Sequence, residues 1–236
     1  MNNKIKVTGH INASINFAMQ QNYVPIIRNI RITNESEETL QDLKLKITCE
    51  PSFAREYVQE IENIEPNGNV EVSPINIKLS TEFLFSLTEK MVGNIIVELY
   101  SGEEKIYEWE DDIELLAYDE WSGLLIMPEI ISAFVTPNHP VIARVIANAS
   151  KYLEKWSKIA SFTGYQTRNP NNVKLQMAAI YASLQAEKIT YNNPPASYEI
   201  IGQRVRLPHV VLEQKQGTCL DLSVLYATCL EAVGLF

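Results

Sequence analysis

Gln214-Lys215-Gln216-Gly217-Thr218-Cys219-Leu220-Asp221-Leu222-Ser223-Val224-Leu225 and the residues that follow it, through Gly234-Leu235-Phe236, decide the reading of the chain. The segment carries the start and stop signals of a helix. Thr218 followed three residues later by Asp221 is a capping box: hydroxyl and carboxylate satisfy amide donors that have no partner within the first turn. Gly234 suits the left-handed conformation wanted just past a last turn. Between them Leu220, Leu222, Val224, Leu225, Leu230 and Val233 leave almost no polar face, so the helix is expected to be buried. This register puts Cys219 on the first helical residue, where free amides and the positive end of the helix dipole favour a thiolate.

Upstream, Ile189-Thr190-Tyr191 reads as a short strand. It is followed by a loop through Pro194-Pro195, an extended piece at Val205–Leu207 within Gln203-Arg204-Val205-Arg206-Leu207-Pro208, and Val211-Leu212-Glu213. Gly217-Thr218-Cys219-x-Asp221 entering an apolar helix with a Gly-Leu exit, preceded by an Ile-x-Tyr strand, resembles the nucleophile segment of the transglutaminase-like superfamily of cysteine proteases and transferases. More narrowly, residues from about Leu116 to Phe236 are similar to the N-terminal region of large bacterial proteins of unknown function. In those proteins a transglutaminase-like domain precedes a helicase and a nuclease-like region, and a role in phage defence is suspected. The resemblance implies Cys219 as nucleophile of a cysteine hydrolase or acyltransferase acting on a protein or peptide. Gly217, Thr218 and Asp221 would shape the helix start around it. It also implies a His and an Asp that follow the Cys in chain order.

No histidine follows Cys219: His10, His139 and His209 all lie upstream. Cysteine chemistry needs a base to hold the thiolate and reprotonate the leaving group. Two readings follow. In one, the chain is the front of a cysteine-protease-type domain, inactive alone, whose base and acid lie beyond Phe236. In the other, it is a non-catalytic interaction or ligand-sensing module. His209, ten residues before Cys219, is the nearest histidine in sequence, and both its side of the Cys and its exposed setting after Pro208 argue against a role as base. Asp221 is accounted for by capping. Cys49 in a strand and Cys229 within the apolar helix read as core. Arg204 and Arg206 alternate in an extended piece; they read as solvated or paired with acidic neighbours, the alternative being contact with an anionic group near the helix start.

The 236 residues favour two domains over one, and 46% hydrophobic content with mixed charge describes globular material. A net charge of −9 argues against direct gripping of nucleic acid, which calls for basic patches. No apolar run reaches membrane-spanning length, and Met1-Asn2-Asn3-Lys4-Ile5-Lys6 lacks the apolar core of a signal peptide, so with the cysteine pattern a cytoplasmic chain is expected. Three widely spread cysteines fit a reducing compartment without disulfides. Nothing in the spacing of ligand-type residues calls for a metal or other cofactor.

Before about residue 117 the hydrophobic period is two. Ile5, Val7, Ile11, Ala13, Ile15 and Phe17 alternate with polar neighbours, and further runs lie at Val24–Thr33, Leu40–Cys49, Tyr57–Ile64, Val70–Leu79, Val92–Tyr100 and Lys105–Leu116. Polar turns separate them, and Thr81–Lys90 alone reads as a short helix or wide loop. Ile30-Arg31-Ile32-Thr33-Asn34, an acidic turn, then Leu43-Lys44-Leu45-Lys46-Ile47 resembles immunoglobulin-like domains. Residues 1–117 are therefore expected to form an immunoglobulin-like antiparallel β-sandwich. Residues 118–236 are expected to be a mainly helical, partial transglutaminase-like (papain-like) domain, giving an α+β chain overall. There Met127–Phe134 makes a short helix from Pro128. Asn138-His139-Pro140 opens a longer one with a stripe of Val141, Val145, Ala149, Tyr152, Trp156 and Ile159. Asn172 caps a third, through about Glu187, which buries Val173, Met177, Ile180, Tyr181 and Leu184. A nucleophile helix without a covering sheet would present an apolar face ending at Leu235-Phe236, so the chain is expected to self-associate or to cover that face.

Overall fold

The computed structural model describes residues 4–196 and 198–235. It is an α+β chain that divides into two compact units, Met1–Tyr118 and Asp119–Phe236. Phe236, the last residue of the apolar exit segment, lies outside the described residues.

In the first unit the elements run β1 (Ile5–Ile11), β2 (Ser14–Ile15), α1 (Phe17–Gln21), β3 (Ile27–Asn34), β4 (Leu43–Glu50), β5 (Tyr57–Ile61), β6 (Asn69–Val72), α2 (Thr81–Ser86), β7 (Met91–Ser101) and β8 (Glu104–Leu115). Two sheets result, ordered β1-β3-β6 and β2-β8-β7-β4-β5. Every pairing is antiparallel except the two-residue contact of β2 with β8. The alternation read from the sequence becomes alternating burial: Leu45, Ile47 and Cys49 on β4 lie opposite Leu99, Val97 and Ile95 on β7, all buried, while Lys44 and Lys46 lie on the other face.

One expected strand residue falls elsewhere. Phe17 opens α1 because Asn16, fully buried, is its N-cap and accepts from the Met19 amide at 2.8 Å. The Phe17 ring then packs edge-on against Phe85 of α2. The run expected to extend to Leu79 forms a strand only as far as Val72.

In the second unit β9 (Glu120–Trp121) is followed by a 3-10 helix at Pro128–Phe134, then α3 (Pro140–Ser157), α4 (Pro170–Ala186), β10 (Thr190–Tyr191), α5 (Tyr198–Ile201), β11 (Gln203–Arg204), α6 (Pro208–Gln214), β12 (Gln216–Gly217) and α7 (Cys219–Glu231). Four helices share one core: Ile142, Val145, Ala149 and Leu153 of α3 meet Ala179 and Ile180 of α4, Val211 and Leu212 of α6, and Leu225 and Cys229 of α7. Two short ladders tie down the segments between helices, β10 parallel to β12 and β11 antiparallel to β9.

The α3 stripe is rotated from the expected one. Ile142 and Leu153 are core, whereas Tyr152 is half-buried, Trp156 is exposed and Ile159 lies past the helix end, where Lys158 takes a left-handed C-cap. The helix has apolar residues on several sides, so its partners, not its own period, select the buried face. In α4 the cap is Asn169 rather than Asn172, because Pro170 fits the first helical position and Asn169 Oδ1 accepts from the Asn171 amide at 3.0 Å. Tyr181 of α4 is 62% exposed, and the buried positions include Gln176 and Ser183. Gln176 Oε1 accepts from the amides of Thr163 and Gly164, both at 2.9 Å, which pins the preceding loop to the helix. Ser183 Oγ donates to Val145 O at 2.9 Å and joins α4 to α3.

Candidate functional site

The start of α7 is built as the Thr218–Asp221 spacing dictates. Thr218 is the N-cap: its Oγ1 accepts from the Asp221 amide at 3.3 Å, and Asp221 Oδ2 accepts from the Thr218 amide at 2.8 Å. Asp221 is fully buried. A buried carboxylate needs more donors than a cap supplies, and Arg206 provides them. Its backbone amide donates to Asp221 Oδ1 at 2.8 Å and its Nη1 to Oδ2 at 3.1 Å. The arginine just after β11 thus fastens the first turn of α7. Arg204 pairs instead with Asp119. Of the expected readings of these arginines, pairing with acidic neighbours is the one seen.

Gly217 sits in β12, buried, and a Cβ there would lie 3.1 Å from Asp221 Cβ, so glycine lets the strand approach the first turn closely. The ladder of β10 with β12 holds this approach: Thr190 N donates to Lys215 O and Asn192 N to Gly217 O, both at 2.8 Å. Cys219 is the first residue of α7 and half-buried. Its carbonyl accepts from Ser223 Oγ at 2.8 Å. At the other end Gly234 has φ +75°, and Leu235 N returns to Leu230 O at 3.0 Å.

Gly217, Thr218, Cys219 and Asp221 are therefore gathered at one helix start. The histidines are not part of that hydrogen-bonded cluster. His209 is the second residue of α6, half-buried rather than in an exposed loop, and its ring stacks on His139 with centroids 4.5 Å apart and planes 9° from parallel. His10 is on β1, exposed. Cys49 and Cys229 are buried, and burial pushes both thiols up to about 12.

One turn along α7 from Cys219, Leu222, Ser223 and Tyr226 form the same helix face. They border a groove of about 450 Å³ against α4, lined also by Tyr181, Leu184 and Lys188. Tyr226 OH donates to Met177 O at 3.1 Å and its ring meets Tyr181 edge-on. Among the described residues no group of three or more His, Cys, Asp or Glu is placed to hold a metal ion, and no helix is long and apolar enough to cross a membrane.

Two features of this region escape a reading of the sequence. The Arg206–Asp221 anchor joins residues fifteen apart and needs the α6 turn to exist. The His139–His209 stack joins residues seventy apart and leaves no local pattern. No protein-family model matches the chain, and no curated protein matches it.

Proposed function

We propose that Asp119–Phe236 is the front half of a transglutaminase-like, cysteine-protease-type domain, with Cys219 in the position of the thiol nucleophile for acyl transfer, preceded by an immunoglobulin-like β-sandwich. The observation that carries the reading is the helix start. A half-buried cysteine occupies the first position of a helix whose cap is closed by a carboxylate locked through Arg206, a rigid mounting for a reacting sulfur. The histidine and acid of such a site would come from outside residues 1–236, since His139 and His209 are engaged with each other. With an activated ester such as p-nitrophenyl acetate the first half of acyl transfer proceeds without the missing acid: the thiol gives its proton to water, the thiolate attacks the carbonyl, p-nitrophenolate departs as the anion and a thioester remains.

This half-reaction supplies the test. Incubation with p-nitrophenyl acetate, followed by mass spectrometry of the intact chain and its peptides, is expected to give one acetyl group on the Cys219 peptide. Cys219→Ala is expected to lose it. An acetylation pattern unchanged in Cys219→Ala, or spread over lysines alone, overturns the assignment.

The α4–α7 groove favours a second reading, an interaction module that uses this apolar face without covalent chemistry. Retention of all acyl-capture behaviour after Cys219→Ala would favour it.

A further inference from the structure

We propose that the stacked imidazoles of His139 and His209 form an acid-sensitive latch that holds α6 against the start of α3. The rings lie 4.5 Å apart and nearly parallel, a geometry that suits neutral rings and sets two charges face to face if both are protonated. His139 is also the N-cap of α3, its Nδ1 accepting from the Val141 amide at 3.3 Å. A proton on Nδ1 removes that acceptor and places a cation at the positive end of an 18-residue helix.

Counterions are scarce around the pair. Neither α3 nor α6 has an acidic residue in its first turn. Among the described residues, Glu213, one turn along α6, favours a charged His209; burial first, and then His139, hold that imidazole below its ordinary 6.5. Charged groups on the neighbouring elements are engaged elsewhere. Asp221 of α7 is held by Arg206, and Lys215 after α6 and Arg144 of α3 are both held by Glu187.

The sign follows from the lowered value. A histidine whose folded-state proton affinity is depressed contributes stability that is present above 6.5 and is lost as pH falls through its folded value. The latch lies between two anchored parts. The Thr136 amide donates to Thr228 Oγ1 at 3.3 Å and ties the segment before His139 to α7, while α6 leads through Gln216 and Gly217 into Cys219. Release of the stack is expected to loosen α6, the shorter of the two helices it joins.

Hydrogen exchange of the intact chain at about pH 7.5 and about pH 5.5, corrected for intrinsic chemical rates, reads this directly. Amides of residues 211–215, which bond within α6, are expected to lose protection on the order of tenfold relative to α4 at the lower pH. His209→Phe keeps an aromatic ring without a proton, and His139→Asn keeps a cap acceptor without an imidazole. His209→Phe is expected to show the same protection of α6 at both pH values, and His139→Asn, which leaves the burial of His209 in place, a smaller acid loss than the unaltered chain. An α6 protection that is independent of pH in the unaltered chain, or an acid loss of the same size in His139→Asn, overturns the latch.

Discussion

Asp221 shows what one residue does here. It has no exposed surface, accepts from the Thr218 and Arg206 amides and from the Arg206 guanidinium, and so closes the first turn of α7 and fixes the incoming chain together. Removing a buried acceptor strands its donors, and each stranded buried donor costs about 1–3 kcal/mol. Asp221→Ala is accordingly expected to lower stability by about 3 kcal/mol in urea denaturation. Arg206→Met leaves the backbone amide bond in place and lets the helix cap stand. Its effect is expected to be smaller, about 1 kcal/mol, because the guanidinium is part-exposed and its ion pair is partly screened. Equal losses for the two variants would mean that the guanidinium, not the pair of backbone amides, carries the anchor. The cap itself was legible in the sequence, since Thr218 and Asp221 meet within a single turn. The arginine was not, because its reach depends on where α6 turns the chain.

At the scale of elements, close approach and left-handed backbone separate two glycines that look alike in sequence. Gly202, between α5 and β11, has φ +80°, and a Cβ there would sit 2.0 Å from Trp121 O. The β9–β11 ladder cannot form at that distance. Gly234 has φ +75° and open space where a Cβ would go, so only the backbone conformation resists substitution. Gly234→Ala is expected to cost about 1 kcal/mol. Gly202→Ala is expected to cost several times more and to expose Trp121, now 5% accessible, seen as a red shift of its fluorescence. Comparable losses at the two positions would contradict the β9–β11 geometry.

The same scale explains which elements the sequence revealed. The β-strands of the first unit and the starts of α3 and α7 were visible through period two, Pro140 and the Thr218 cap. The faces of α3 and α4 were not. Val141, Tyr152 and Trp156 are as apolar as Ile142 and Leu153, and only the positions of α4, α6 and α7 select between them. In α4 two buried polar residues, Gln176 and Ser183, replace apolar ones, and their partners lie in a loop and on another helix. Short α1 was hidden because Phe17 continued an alternation that Asn16 in fact ends by capping.

Across the whole molecule, charge is unevenly shared. Residues 1–118 hold 20 acidic and 10 basic side chains, whereas residues 119–236 hold 9 and 10. The acidity that argues against gripping a phosphate backbone thus belongs to the first unit. The three cysteines are just as unequal. Cys49 lies in the strand core of the first unit and Cys229 in the four-helix core of the second, both with thiols pushed up to about 12, while Cys219 stands half-exposed at a helix start. For the buried pair the protonated form is the folded one, so their contribution to stability is full below about pH 9 and is lost as pH rises toward about 12.

The proposed role of Cys219 requires a thiol that is more reactive than a free one. The direct measurement is its alkylation rate by iodoacetamide at about pH 6, read by peptide mass spectrometry beside a free cysteine peptide, since burial alone already silences Cys49 and Cys229. Cys219 is expected to be modified faster than the free peptide while the other two cysteines stay unmodified until the chain is unfolded. A Cys219 that reacts no faster than the free peptide contradicts that role and leaves the helix start as a structural cap.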